Sequence, residues 1–251
     1  MNDSTTNITE LTVSPEQIIT RESAAEFVER GSPSRSPARN ICVLLHGWNS
    51  DETAMYGMRD ALAALPGGNR WQFISLPYDS WWKSFKDAAK DVSDYILSHF
   101  DTGIRTFMIV GYSQGGMVAR QMIVNGFPAR ALVTICTPHL GLGAWVPTPT
   151  PGPASISPNS EDLAELNRKD GPHRHNYYTF GMTKRDSGGY LRDDGMVPIE
   201  SALGQGLGMR YGEETILSYH NIAGVDPHMQ GMNPKFTGAA LRTCSTLLNS
   251  L

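Results

Sequence analysis

Between Thr106 and Val124 the chain compresses three kinds of local structure into nineteen residues. The apolar run Thr106-Phe107-Met108-Ile109-Val110 reads as a strand, Gly111-Tyr112-Ser113-Gln114-Gly115-Gly116 as a turn, and Met117 to Val124 as a helix. A strand that passes so abruptly into a helix brings the two backbones almost into contact, and glycines on either side of the serine remove the Cβ atoms that would clash there. Ser113 then takes a strained backbone and lifts its hydroxyl above the edge of a sheet, which makes it a candidate nucleophile. The plainer alternative is a serine that only caps the helix.

The surroundings of this turn predict the fold. Ile41-Cys42-Val43-Leu44-Leu45 and Ala131-Leu132-Val133-Thr134-Ile135-Cys136 are short continuous apolar runs, the pattern of strands covered on both faces. Trp71 to Pro77, Tyr177 to Phe180 and Thr215 to Ala223 complete the strands. Between them lie amphipathic stretches. Met55, Met58, Leu62 and Leu65 follow a cap at Asp51; Trp82, Phe85, Ala89, Val92, Ile96 and Phe100 mark a second helix, and Pro234 to Leu248 a last one. Strand and helix in alternation predict an α/β architecture, a mostly parallel central sheet with helices on both faces. Right-handed crossovers place the carboxyl ends of the strands along one edge, where His46, Ser113 and Thr137 then fall near one another.

Two regions break the alternation. Residues 1–39 are rich in Ser, Thr, Glu, Pro and Arg and are expected to form an arm, leaving 40–251 as a single domain. From about 140 to 176 the order lapses again: Pro147-Thr148-Pro149-Thr150-Pro151-Gly152-Pro153 reads as an extended loop, followed by a short helix that Ser160 caps and that carries Leu163 and Leu166. A connection this long suggests a cap or partial lid over Ser113, with its apolar residues toward the substrate.

A serine hydroxyl is a poor nucleophile at neutral pH and needs a base within hydrogen-bond reach, itself oriented by an acid. In a serine-turn architecture the acid follows the next-to-last strand and the base the last. Asp194-Gly195-Met196-Val197-Pro198 occupies the acid's place, with Asp186 and Asp193 as rivals in the same loop. For the base, His228 lies in the loop after the last strand and His220 inside it. His228 is the better placed. An oxyanion needs N–H donors, and the backbones of Gln114, at a helix start, and Trp48, after the first strand, are the candidates. His46 shapes the loop of Trp48 and counts, with Trp48, Leu140 and Trp145, among the candidate substrate-binding residues.

Composition removes other classes. A net charge of −4 and scattered Lys and Arg offer no footprint for nucleic acid. No run approaches the ~20 residues of a membrane span, and no signal peptide is evident, so the expectation is a cytoplasmic protein. Cys42, Cys136 and Cys244 are read as small core residues, and His99, His173 and His175 lack a ligand set. No metal or cofactor is called for, and the oligomeric state is left open.

Leu45-His46-Gly47-Trp48, Gly111-Tyr112-Ser113-Gln114-Gly115, Asp194-Gly195-Met196-Val197-Pro198 and the loop of His228 together resemble the α/β-hydrolase family, in its lipase and esterase branch. Thr137-Pro138-His139-Leu140-Gly141 and Ser160-Glu161-Asp162-Leu163-Ala164-Glu165-Leu166-Asn167 are similar to further lipase signatures. The resemblance runs from about Asn40 to Leu251. It implies hydrolysis of a small-molecule or lipid ester through an acyl-enzyme, with Ser113, His228 and Asp194 as catalytic triad. A thioesterase, amidase or acyltransferase would use the same residues, and a non-catalytic binding module on this fold is the reading from a different class.

Overall fold

The computed structural model describes residues 40–100, 105–143, 149–186, 189–190, 193–212, 215–220 and 228–251, with backbone alone for 184–186, 189–190 and 218–220. The first apolar run forms β1 (Asn40–Leu45), and its side chains divide as the pleat requires. Ile41, Val43 and Leu45 enter one core, Cys42 and Leu44 the other. The sheet is therefore covered on both faces. Each such aliphatic side chain, buried completely, stabilises the fold by roughly 1.5–3 kcal/mol relative to exposure.

β2 (Trp71–Leu76) and β3 (Phe107–Tyr112) flank β1, both parallel to it, and β4 (Ala129–Ile135) pairs parallel with β3. The ten-residue β5 (Tyr177–Asp186) serves two partners. Its first half pairs with β4 and its second half, Gly181 to Arg185, with β7 (Ile216–His220), all in parallel. β6 (Gly189–Tyr190) returns antiparallel on the end of β5. After β2 the chain crosses back over β1 to lay down β3, so the direction of sheet growth reverses between β1 and β3. A crevice opens at such a reversal, beyond the carboxyl ends of the two strands.

Helices α2 (Phe85–His99), α3 (Gln114–Val124) and α5 (Glu161–Lys169) pack in the first core. Helices α1 (Tyr56–Ala63) and α7 (Gly238–Ser250) pack in the second. Short helices α4 (Pro151–Ser155) and α6 (Ile199–Ala202) lie in the connections.

Several boundaries differ from expectation for identifiable reasons. α2 starts at Phe85 rather than Trp82, because the Ser84 side chain accepts from Asp87 N and sets the cap there. Trp82 belongs to a turn held by Asp79 and is 69% exposed. α7 starts at Gly238 rather than Pro234, since Asn233 and Pro234 are taken up in a turn with Lys235 and Thr237. Within the proline-rich stretch, residues from Pro151 onward form a helical turn instead of extended chain. Pro151 stands first in α4, where a missing N–H costs nothing and the ring presets φ.

The expectation that Leu163 and Leu166 face the substrate is corrected. Both lie in the first core, 3% and 1% exposed. Their helix is tied to α2 by Lys86, 2.7 Å from Glu165 and 3.3 Å from Asp162. The reason is that an amphipathic helix buries its apolar stripe against the largest apolar surface within reach, which here is the face of α2 and α3. The arm at 1–39 and Trp145 lie outside the described residues. Among the described residues no helix is long and apolar enough to cross a membrane.

Candidate active site

The turn after β3 has the geometry its glycines imply. Ser113 sits at φ 51° and ψ −124°, a conformation that costs a non-glycine residue on the order of 1–3 kcal/mol. The surrounding structure holds it there: Ser113 N donates to Ile135 O at 2.9 Å. A Cβ on Gly111 would lie 2.6 Å from the backbone of Gly116, and one on Gly115 would lie 2.3 Å from Leu45 O. Larger residues at either position would force the helix off the sheet.

His228 opens a 3₁₀ turn, His228–Met232, and its ring spans two partners. Nε2 is 2.9 Å from Ser113 Oγ and Nδ1 is 2.7 Å from Asp194 Oδ2. Asp194 is held in turn by its own loop, Oδ1 accepting from Met196 N at 3.0 Å and Val197 N at 2.8 Å. An ionised carboxylate only accepts, so Nδ1 carries the ring proton and Nε2 offers its lone pair to the Ser113 hydroxyl. Asp194 is 0%, His228 3% and Ser113 4% exposed, so these hydrogen bonds form in a largely dry environment. Of the rival acids, Asp193 turns its carboxylate to Gly195 N at 3.0 Å. The side chains of Asp186 and His220 lie outside the described residues.

Cys136, just past β4, shares with Ser113 a positive φ of 51°. Its Sγ, an Asp194 oxygen and a His228 nitrogen lie within 4.8 Å of one another, a donor set that a soft cation could use. The hydrogen bond between His228 and Asp194 already takes up two of those donors. Burial, reinforced by the Asp194 carboxylate, pushes the Cys136 thiol well above its ordinary value, so it stays protonated.

The loop after β1 forms the other wall. His46 is wholly buried, with Nδ1 2.8 Å from Gly47 O, Nε2 3.4 Å from Tyr78 N, and its ring stacked on Tyr78 at 4.2 Å. Burial holds it down to about 4, so it is neutral near pH 7. Contrary to its inclusion among the substrate-binding candidates, its ring is sealed inside the loop it supports. Trp48 packs edge-on against Trp81 at 5.0 Å. The Gln114 side chain donates from Nε2 to Ser80 O at 3.4 Å, while its backbone N–H is one of the first four of α3, which have no partner within the helix. Leu140 is 36% exposed, its N–H bound to Ser201 Oγ.

A second polar cluster escaped the sequence reading. Arg120, buried in α3, is 2.6 Å from Asp170 and 2.6 Å from Asn167 Oδ1, and its Nη1 is 3.2 Å from His139 Nδ1. Asp170 also pairs with Arg174 at 2.6 Å, and His139 Nε2 lies 2.9 Å from Thr134 Oγ1. An arginine amid the apolar residues of a helix was the available signal. His139 and Asn167 stood out only as members of signature stretches.

The architecture is the α/β-hydrolase fold. Residues 42–195, more than half of the chain, match the family model of palmitoyl protein thioesterase, and the chain belongs to that family. No curated protein matches it significantly. Among solved structures it is similar to the mature lipase BlEst2 of Bacillus licheniformis, with 18% identity over 86% of this chain and 96% of that one and a TM-score of 0.57. The product of gene lin2722 of Listeria innocua shows 17% identity over 85% and 95%, with a TM-score of 0.54. Lipase B of Aspergillus fumigatus shows 12% identity over 98% of this chain and 63% of its own length, with a TM-score of 0.57. At such identities the likeness is one of fold.

Proposed function

We propose that this chain is a serine hydrolase cleaving carboxylic esters of apolar acyl groups. The observation that carries the reading is the His228 imidazole, 2.9 Å from Ser113 Oγ on one side and 2.7 Å from Asp194 on the other. In this mechanism Ser113 Oγ attacks the acyl carbon while His228 Nε2 takes its proton, and Asp194 stabilises the imidazolium that results. The backbone N–H groups of Gln114 and Trp48 receive the oxyanion, the first aided by the positive end of α3. His228 then protonates the departing alkoxide. In the second half a water gives a proton to His228 and attacks the acyl carbon, and Ser113 leaves with its proton restored. Trp48, Leu140 and Trp145 are proposed to meet the acyl chain.

A second reading, hydrolysis of thioesters by the same steps, is favoured by membership in the palmitoyl protein thioesterase family. A thiolate leaves more readily than an alkoxide and relies less on His228 as an acid. Matched oxygen and sulfur esters of one acyl chain separate the two by their kcat/KM values. Both require a fluorophosphonate to label Ser113, and Ser113→Ala to lower turnover at least ~10³-fold with little change in Tm. Labelling of a different serine, or an active Ser113→Ala protein, would refute the proposal.

A further inference from the structure

Ser113, Asp194 and His228 come from three separate loops, and hydrogen bonds between their side chains leave open what holds the loops themselves in register. The residue before the serine has the geometry for it. Tyr112 ends β3 with its ring 2% exposed, and its hydroxyl donates to the backbone carbonyl of His228 at 2.7 Å. The ring is gripped on both edges. A Cβ added to Gly47, in the loop of Trp48, would fall 2.9 Å from Tyr112 Cε1, and one added to Gly231, in the turn of His228, would fall 2.9 Å from Cε2. The same phenol is 5.2 Å from the His228 ring, tilted at 40°. One side chain, fixed to the backbone beside Ser113, therefore touches the loop after β1 with one edge, the turn of His228 with the other, and the His228 carbonyl with its tip.

The division of labour follows from which atoms each partner holds. Asp194 fixes the rotation of the imidazole through Nδ1, but places no restraint on the backbone from which the ring hangs. That backbone is the start of a short 3₁₀ turn, a geometry whose hydrogen bonds are poorer than those of an α-helix. A base must stay within about 0.5 Å of its productive position, because small displacements of a reacting group lower the rate steeply. We propose that Tyr112 is a positioning residue: its hydroxyl anchors the His228 carbonyl and its ring sets the spacing between the His228 turn, the Ser113 turn and the Gly47 loop. This rests on the proposed roles of Ser113 and His228. Tyr112 itself touches no reacting atom.

The test is Tyr112→Phe, which removes the hydroxyl and keeps the ring between the two glycines. With a soluble nitrophenyl ester, kcat is expected to fall about tenfold, with KM changed less than twofold. The second-order rate of Ser113 labelling by a fluorophosphonate, normalised to folded protein, should fall by a similar factor. A purely structural tyrosine would instead lower Tm and leave the labelling rate per folded molecule intact. Gly231→Ala provides a second variant that keeps the phenol and pushes the turn away from it, and it should lower kcat at least as much. Should Tyr112→Phe keep kcat within twofold of wild type, or raise KM while kcat stands, the inference is overturned. Absence of labelling at Ser113 in the wild-type protein would overturn the parent reading as well, and so distinguishes the two failures.

Discussion

His139 and His228 are both buried, each just beyond a strand or its following loop, and each shares a polar cluster with an aspartate, yet the charged groups that face their Nδ1 atoms have opposite signs. His228 meets a carboxylate directly, at 2.7 Å. His139 meets the guanidinium of Arg120 at 3.2 Å, and the aspartate of that cluster, Asp170, is turned toward Arg120 and Arg174 instead. The His228 ring faces an anion across its Nδ1 hydrogen bond, whereas a proton arriving on His139 would face two cations. Burial first, then Arg120 and Arg174, holds His139 well below the ordinary histidine value, and its Nδ1 lone pair is already occupied by Arg120. The comparison teaches that burial of a His and an Asp together says little. The sign of the charge that faces the ring decides whether its surroundings favour or oppose a proton there.

The largest expected effect separates the two directly. His228→Ala should lower ester turnover ~10⁴-fold or more while Tm changes little, since the lost group acts on the reaction rather than on the fold. His139→Ala should do the reverse, leaving turnover within about tenfold while lowering Tm by several degrees, because it strips Arg120 and Thr134 of a buried partner. Parallel assays of initial rate and thermal unfolding decide it, and a dead His139→Ala protein that melts normally would remove the distinction drawn here.

Next in size, Arg120→Met leaves Asp170 buried with one cation instead of two, and should destabilise the protein by about 3–5 kcal/mol in urea unfolding. Because α3 begins at Gln114, such a loss also tests how stiffly the cluster backs the Ser113 turn. A variant of unchanged stability would mean that Arg174 alone satisfies Asp170.

The third effect is a dependence of stability on pH. The folded chain keeps His46 neutral down to about 4, whereas the unfolded chain takes up that proton near 6.5. Between those values the unfolded state binds more protons, so stability present above pH 6.5 is lost as pH falls, by about 3 kcal/mol at pH 4 from His46 alone. His139 acts in the same direction. In His46→Gln the slope of unfolding free energy between pH 6.5 and 4 should be shallower than in wild type, and an equal slope would show that His46 is not the group responsible.

How much of this could be read in the residues varies with the kind of restraint. The Ser113 turn was legible because the restraint is local: apolar strand, glycines and helix lie within one short segment, and the 2.3 Å approach at Gly115 allows no larger residue. The strands were legible from their apolar runs, with boundaries shifted where a cap such as Ser84 outranked hydrophobic spacing. The partner of Leu163 and Leu166 was not legible, because an amphipathic helix declares an apolar side without declaring what it packs against. In the sequence Tyr112 is only a member of the turn motif. Nothing local reveals that its hydroxyl reaches residue 228.

The sequence by itself determined the α/β order of elements, the strained turn at Ser113, and the short list from which its partners could come, since each depends on contacts between residues near in the chain. Only the tertiary structure decided that Asp194 rather than Asp193 faces His228, that His46 is sealed in its loop, and that Arg120 neutralises the neighbourhood of Asp170. Those outcomes depend on distances between segments some 30 to 50 residues apart. Such distances are set by how the sheet and helices pack, and the same side chains at other separations would have carried different charges and different chemistry.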